Sequence, residues 1–166
     1  MVSLDYLRSF ANYRGVAGFA VRRLKFFNER ALAEPMGKQM ICLLDDAPGF
    51  DFLVPVPIHW YRESGRGFNQ ALLLAEAMGE PRLNNEIMNR IRNTKQQAKL
   101  GLRARRTNLE NAFSADECKG QRVLLVDDVV TSGATLEICA RELKAVGARW
   151  VGAITYAREV GPGFQK

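Results

Sequence analysis

The residues best placed to do chemistry lie in a single run, Val123-Leu124-Leu125-Val126-Asp127-Asp128-Val129-Val130-Thr131-Ser132-Gly133-Ala134-Thr135. Two adjacent carboxylates follow four apolar β-formers, and a small turn of hydroxyls and glycine follows the carboxylates. Thr131, Ser132, Gly133, Ala134 and Thr135 suit an anion. The hydroxyls donate, Gly133 lets the backbone approach, and a helix N-terminus presents unpaired N–H groups. Leu136, Cys139, Ala140, Leu143 and Val146 predict that helix by their spacing. Val123 to Val126 predict a strand buried on both faces, which emerges into water where the acids begin. Ligands of open α/β sheets sit beyond the carboxyl ends of the strands, and the turn lies there.

The acid pair decides which phosphate ligand is meant. A P-loop would end in Gly-Lys-Ser/Thr, and a dinucleotide fingerprint would place three glycines in the turn, where only Gly133 stands. Asp127 and Asp128 would repel a phosphate unless they face something else. Vicinal ribose hydroxyls, which donate to carboxylates, meet that need, and so would a bound Mg²⁺. The stretch resembles the signature of type I phosphoribosyltransferases that binds phosphoribosyl diphosphate (PRPP). The resemblance implies that Asp127 and Asp128 hold the ribose hydroxyls and that the turn holds the 5′-phosphate. Acids that merely solvate a strand end are the bland alternative for one Asp, but not for the whole run.

The rest of the chain must position these groups. Its 166 residues, 47% of them hydrophobic, suit one α/β domain with an ample core. No secretory leader and no apolar run of membrane-spanning length is visible, so no membrane insertion is expected. Cys42, Cys118 and Cys139 are isolated and form neither a zinc motif nor a disulfide framework, which makes a reducing cytoplasm the default. A net charge of +6 favours anionic partners, phosphates or nucleic acid. Residues 1–50 read as helical packing. In them Val16, Phe19, Ala20, Leu24 and Phe27 form an apolar stripe beneath Arg22, Arg23 and Lys25, and a second helix runs from near Ala31 to Leu44 with Pro35 in its first turn. Phe10 and Tyr13 are expected to cover the sheet. The three basic residues read as a solvated face, with Lys25 the one to watch if phosphates bind nearby.

Phe52-Leu53-Val54-Pro55-Val56-Pro57 predicts a strand that leaves the sheet at its prolines. The loop that follows carries His59, Arg62 and Arg66 and leads to Asn69, a cap for a helix that Gly79 stops. Arginines at a strand end suit a diphosphate, although a solvated surface loop accounts for them equally well. His59 has no second ligand and no nucleophile to serve, and reads as structural or substrate-adjacent. Between Ile87 and Leu109 the chain carries Arg90, Arg92, Lys95, Lys99, Arg103, Arg105 and Arg106 with no acid and no aromatic residue. A lid over a diphosphate needs such charge, and Thr94 and Gln97 add polarity; a solvated basic helix is the alternative. The lack of aromatics argues mildly against a single-stranded nucleic acid groove. Trp150 to Tyr156 predicts a last strand, so strand, helix and strand form a βαβ unit.

Arg66-Gly67-Phe68-Asn69-Gln70 after Val54-Pro55-Val56-Pro57, the spacing Arg90-x-Arg92-x-Thr94-x-x-Gln97, and Arg103-x-Arg105-x-x-Asn108-Leu109 together resemble the ComF/GntX competence-protein family. The match runs from Tyr13 to Arg158, without the cysteine-rich zinc module with which many members begin. It implies a type I phosphoribosyltransferase fold: a mostly parallel sheet flanked by helices, with a small hood from residues 1–50 over a core of 51–160. It further implies PRPP with Mg²⁺ held mainly by the substrate, a pyrophosphate loop from Tyr61 to Arg66, and a flexible lid drawn from Arg90, Arg92, Thr94, Lys95, Gln97, Arg103 and Arg105. An unidentified, nitrogenous acceptor would take the phosphoribosyl group. Members are associated with DNA uptake beside a helicase-like partner. Two non-catalytic alternatives stay open, a single-stranded DNA-binding partner and a PRPP sensor.

Overall fold

The computed structural model describes residues 1–58, 67–91 and 112–159. Its main sheet holds four strands, all pairs parallel: β1 (Tyr6–Asn12), β6 (Trp150–Arg158), β5 (Arg122–Val130) and β2 (Phe52–Pro55), in that spatial order. Between β1 and β2 come α1 (Gly15–Phe26), a 3₁₀ turn (Arg30–Leu32), α2 (Ala33–Met40) and the short α3 (Cys42–Asp45). Helix α4 (Gln70–Met78) follows β2, and α5 (Ala134–Ala145) joins β5 to β6. A separate antiparallel ribbon pairs β3 (Met88–Arg90) with β4 (Phe113–Ala115).

Both faces of the sheet are covered, as a parallel sheet requires. On one face Val123, Leu125, Val151 and Ala153 pack with Leu136, Cys139 and Leu143 of α5 and with Met88 and Phe113 of the ribbon. On the other, Leu124, Val126 and Ile154 pack with Val21 and Leu24 of α1, Met36 and Met40 of α2, and Leu74 and Met78 of α4. The βαβ unit predicted for the C-terminal part is present.

Several expectations hold in detail. Asn69 caps α4 by accepting the Ala71 N–H at 3.1 Å, and Gly79 ends the helix in the left-handed conformation, φ 67°. Pro35 sits in the first turn of α2, although the predicted second helix divides at Ile41 into α2 and α3. Strand β2 ends at Pro55, as its prolines predict.

Two expectations are corrected. The first residues are not all helical, because Tyr6–Asn12 add a strand to the sheet edge beside β6. Phe10 lies on that strand, stacked on Tyr156 with ring centroids 5.5 Å apart. In α1 the buried residues are Gly18, Val21 and Leu24, whereas Val16, Phe19 and Phe27 are exposed. The true apolar face lies one helical step from the expected stripe, and Arg23 is itself half-buried. Its guanidinium lies 5.7 Å from the Phe19 ring and 4.7 Å from the Phe27 ring and pairs with Glu29. The aromatic residues and the basic residues therefore share one outer surface.

Candidate functional site

Strand β5 runs through the interior of the sheet between β6 and β2. The acids lie within it rather than at its exit: pairing with β6 continues through Asp127↔Thr155 and Val129↔Ala157 to Val130↔Arg158. The predicted end of the strand at Val126 is thus corrected by four residues. The valines on either side of the acids supply the β propensity that carries the ladder onward.

Strand alternation then separates the two carboxylates. Leu124 and Val126 face α1, Val123 and Leu125 face α5, so Asp128 follows the first pair and Asp127 the second. Lys25 of α1 reaches Asp128, its ammonium donating to Oδ1 at 2.9 Å. Asp128 is only 3% exposed, and its Oδ2 is buried with no hydrogen-bond partner among the described residues. On the other face, burial and then the charge of Asp127 push the Cys139 thiol of α5 upward. Asp127 accepts the backbone N–H of Asp128 at 2.8 Å. Burial, followed by the neighbouring charge of Asp128, pushes the Asp127 carboxyl up to about 7 against the opposing pull of Lys25.

The turn beyond β5 has the form its residue types predict. Thr131 and Ser132 are exposed, Ala134 and Thr135 are half-buried, and Gly133 caps α5 with φ +73°, a left-handed conformation suited to glycine. The first turn of α5 begins at that point, with the Ala134 N–H donating to Ser132 Oγ at 3.5 Å. The first residues of the chain lie across it. A Cβ on Gly133 would meet Met1 Sδ at 2.8 Å, and Glu137 Oε1 accepts the N–H groups of Val2 and Ser3 at 3.0 and 2.8 Å. Burial alone would raise the Glu137 carboxyl. The bonds from Ser3 and Val2 and the N-terminal charge hold it below the ordinary range.

Of the expected pyrophosphate loop, Arg62 and Arg66 lie outside the described residues, as does His59, but both ends of the segment are anchored. Asn69 donates through Nδ2 to the Val56 carbonyl at 3.1 Å, and Arg30 donates to the Gly67 carbonyl at 2.9 Å. Of the expected lid, Arg92, Thr94, Lys95, Gln97, Arg103 and Arg105 also lie outside the described residues. Arg90 belongs to β3, where its guanidinium sits 5.0 Å from the ring of Phe113. It is therefore part of the ribbon from which the basic segment departs. The Ile91 N–H donates to the Ala112 carbonyl at 2.9 Å, so that segment leaves and returns at one place. Arg158 and Glu159 are exposed at the end of β6, as solvated charges.

The structure thus places Asp127 and Asp128 on opposite faces of β5 ahead of the Thr131–Thr135 turn and adds Lys25 to Asp128, its partner 103 residues away. No local pattern in a sequence signals such a pair. The contact of Glu137 with Val2 and Ser3 is missed for the same reason.

Comparison with known proteins places this arrangement. Residues 69–161 match the phosphoribosyl transferase domain family. Competence protein F of Haemophilus influenzae is 31% identical over 170 residues, covering 94% of this chain and 74% of that protein. The chain belongs to the ComF family. Competence protein ComFC of Bacillus subtilis is 38% identical over 109 residues, 64% of this chain and 44% of its own length. The DNA utilization protein YhgH of Escherichia coli O157:H7 is 31% identical over 151 residues, 85% of this chain and 66% of its own. Among solved structures, the glutamine phosphoribosylpyrophosphate amidotransferase of B. subtilis superposes with a TM-score of 0.51 at 17% identity, over 81% of this chain and 30% of that one, a likeness of fold alone. With the parallel sheet and its flanking helices, the ComF chain has the type I phosphoribosyltransferase fold. In that setting the site holds a buried carboxylate oxygen with no partner among the described residues, a second acid pushed up to about 7, and the N-terminus of α5 behind Gly133.

Proposed function

We propose that this chain binds PRPP and transfers its phosphoribosyl group to a nitrogenous acceptor, in a role in competence and DNA uptake like those for which its relatives are named. The observation that carries the reading is Asp128 Oδ2, buried and without a partner among the described residues, on the ligand side of a parallel strand that leads into a glycine turn at a helix N-terminus. A buried acceptor left unpaired costs about 1–3 kcal/mol, which a ribose hydroxyl would recover by donating to it. Gly133 and the first amides of α5 would receive the 5′-phosphate. For that the phosphate would share space with Met1.

Departure of diphosphate from C1 leaves positive charge growing on the ribose ring. Asp128, paired with Lys25, would stabilise the ring through its hydroxyls. Mg²⁺, when bound, supplies charge neutralisation on the diphosphate. The acids fit a cation held by substrate oxygens and water rather than by themselves, because the Lys25 ammonium already stands 2.9 Å from Asp128. Arg62, Arg66 and the basic segment of 92–106 would meet the leaving group, with Thr94 and Gln97 in the lid. Release of diphosphate from PRPP, assayed across purine, pyrimidine and other nitrogenous acceptors, tests the reaction. Turnover that disappears in Asp128→Asn supports it; the absence of turnover with every acceptor leaves a PRPP-binding protein that catalyses nothing.

A second reading has an observation of its own. Phe19, Phe26 and Phe27 are exposed at 56%, 62% and 61% beside Arg22 and Arg23. Aromatic faces next to cations suit stacked bases of single-stranded DNA, and the basic segment by itself lacks them. Affinity for a DNA oligomer that falls steeply with salt and drops in Phe27→Ala would favour this reading.

A further inference from the structure

We propose that Lys25 is the resident counter-cation of the acid pair: it claims one oxygen of Asp128 and leaves the other for a hydroxyl donor of the ligand. The identity of that donor as ribose rests on the PRPP reading; the role of Lys25 does not.

The geometry is specific. Leu24 is fully buried against the sheet, which turns the next residue of α1 toward the end of β5. The Lys25 side chain is 23% exposed and that of Asp128 5%, so the pair is largely withdrawn from water. A buried ion pair adds little stability compared with apolar residues of the same shape, so packing alone gives no reason to keep one here. Asp128 Oδ1 is satisfied by Lys25 while Oδ2 is satisfied by nothing among the described residues. A merely structural pair would have both oxygens satisfied; this one is left with a single acceptor. The Lys25 ammonium, 2.9 Å from Asp128, offsets the repulsion between the two adjacent carboxylates, so they need no metal of their own.

Lys25 also acts across the strand, which supplies a readout. Among the described residues, the titratable and charged groups acting on Asp127 and its neighbours include Asp128 on its own strand, Lys25 from α1 and the Cys139 thiol of α5, with Arg90 of β3 and Glu142 of α5 acting on that thiol. Burial and Asp128 raise the Asp127 carboxyl and Lys25 lowers it. A carboxyl-carbon NMR titration of Asp127 in the whole chain should show it titrating near 7, higher in Lys25→Met, close to wild type in Lys25→Arg, and lower in Asp128→Asn. In parallel, PRPP affinity should fall about tenfold or more in Lys25→Met, the scale for truncating one partner of a withdrawn charge pair, and recover most of that in Lys25→Arg.

An Asp127 titration that is the same in wild type and in folded Lys25→Met overturns the proposal, as does a Lys25→Arg variant no better than Lys25→Met. If Lys25→Met alone does not fold, it is made in the Asp128→Asn background, where loss of the ammonium should still raise the Asp127 carboxyl; an Asp127 titration unchanged there overturns the proposal. Wild-type protein that shows the titration pattern but binds no PRPP would defeat the PRPP reading and leave the counter-cation standing.

Discussion

In β5, Val123 to Val126 are removed from water on both faces, whereas Asp127 and Asp128, on the same strand and in continuous register, carry two carboxyl groups into the sheet. The first half joins the two cores, with its side chains alternating between α5 and α1. The second half continues that alternation with groups that gain nothing from burial. One acid acquires a cation and the other is pushed up to about 7. Stability comes from the first half, while the second gives up some of it to hold carboxyl groups.

The contrast is broken most sharply in the apolar half. Leu124→Ala should lower the unfolding free energy by about 2–5 kcal/mol, measured by urea denaturation, because a fully buried side chain is replaced by a cavity. PRPP affinity of the fraction that stays folded should hardly change. Asp128→Asn should show the opposite profile. It keeps the shape of the side chain but loses the charge, and the loss of transition-state stabilisation should reach about 2.7–4 kcal/mol, the scale for one preorganised electrostatic contact. The ratio of kcat/KM for diphosphate release in wild type and variant measures it.

Asp127 sharpens the comparison through pH. Its carboxyl is raised from an ordinary value of 3.8 to about 7 in the folded chain. Between those values the native state holds a proton that the unfolded chain has released. Stability from this group is therefore fully present below about pH 4 and is lost as pH rises through 7. At about 1.36 kcal/mol per unit, the effect is a few kcal/mol at most. Asp127→Asn should raise the melting temperature at pH 8 and flatten the fall in stability between pH 5 and pH 8; an unchanged pH profile would show that the Asp127 carboxyl is not raised in the folded chain.

The smallest effect belongs to the support around the site. Asn69→Ala removes the cap of α4 and the bond to the Val56 carbonyl, and should cost about 1 kcal/mol of stability. Because Asn69 anchors one end of the segment that carries Arg62 and Arg66, a weaker affinity for diphosphate should accompany it, measured by competition against PRPP.

Much of this is legible in the sequence where the signal is local. The apolar run of β5, the glycine turn, the cap at Asn69, the stop at Gly79 and the prolines of β2 each announce themselves within a few residues. What escapes depends on distance or on a neighbour. Tyr6–Asn12 carry Arg8, Ser9 and Asn12 and do not look like a strand until β6 supplies the partner. The outer surface of α1 is hidden because Phe19 and Phe27 look like core residues until Arg23 is found against them. Strand alternation parts Asp127 from Asp128, an outcome that follows only once β5 is known to continue through Val130. Lys25 can be suspected from sequence but not paired.

The central claim, that Asp128 with its one satisfied oxygen forms a ribose site, is tested most directly by calorimetric titration of PRPP with Mg²⁺ into wild type and Asp128→Asn. The account predicts saturable binding to the wild type and its loss in the variant. Equal binding to both, or none to the wild type, would contradict it.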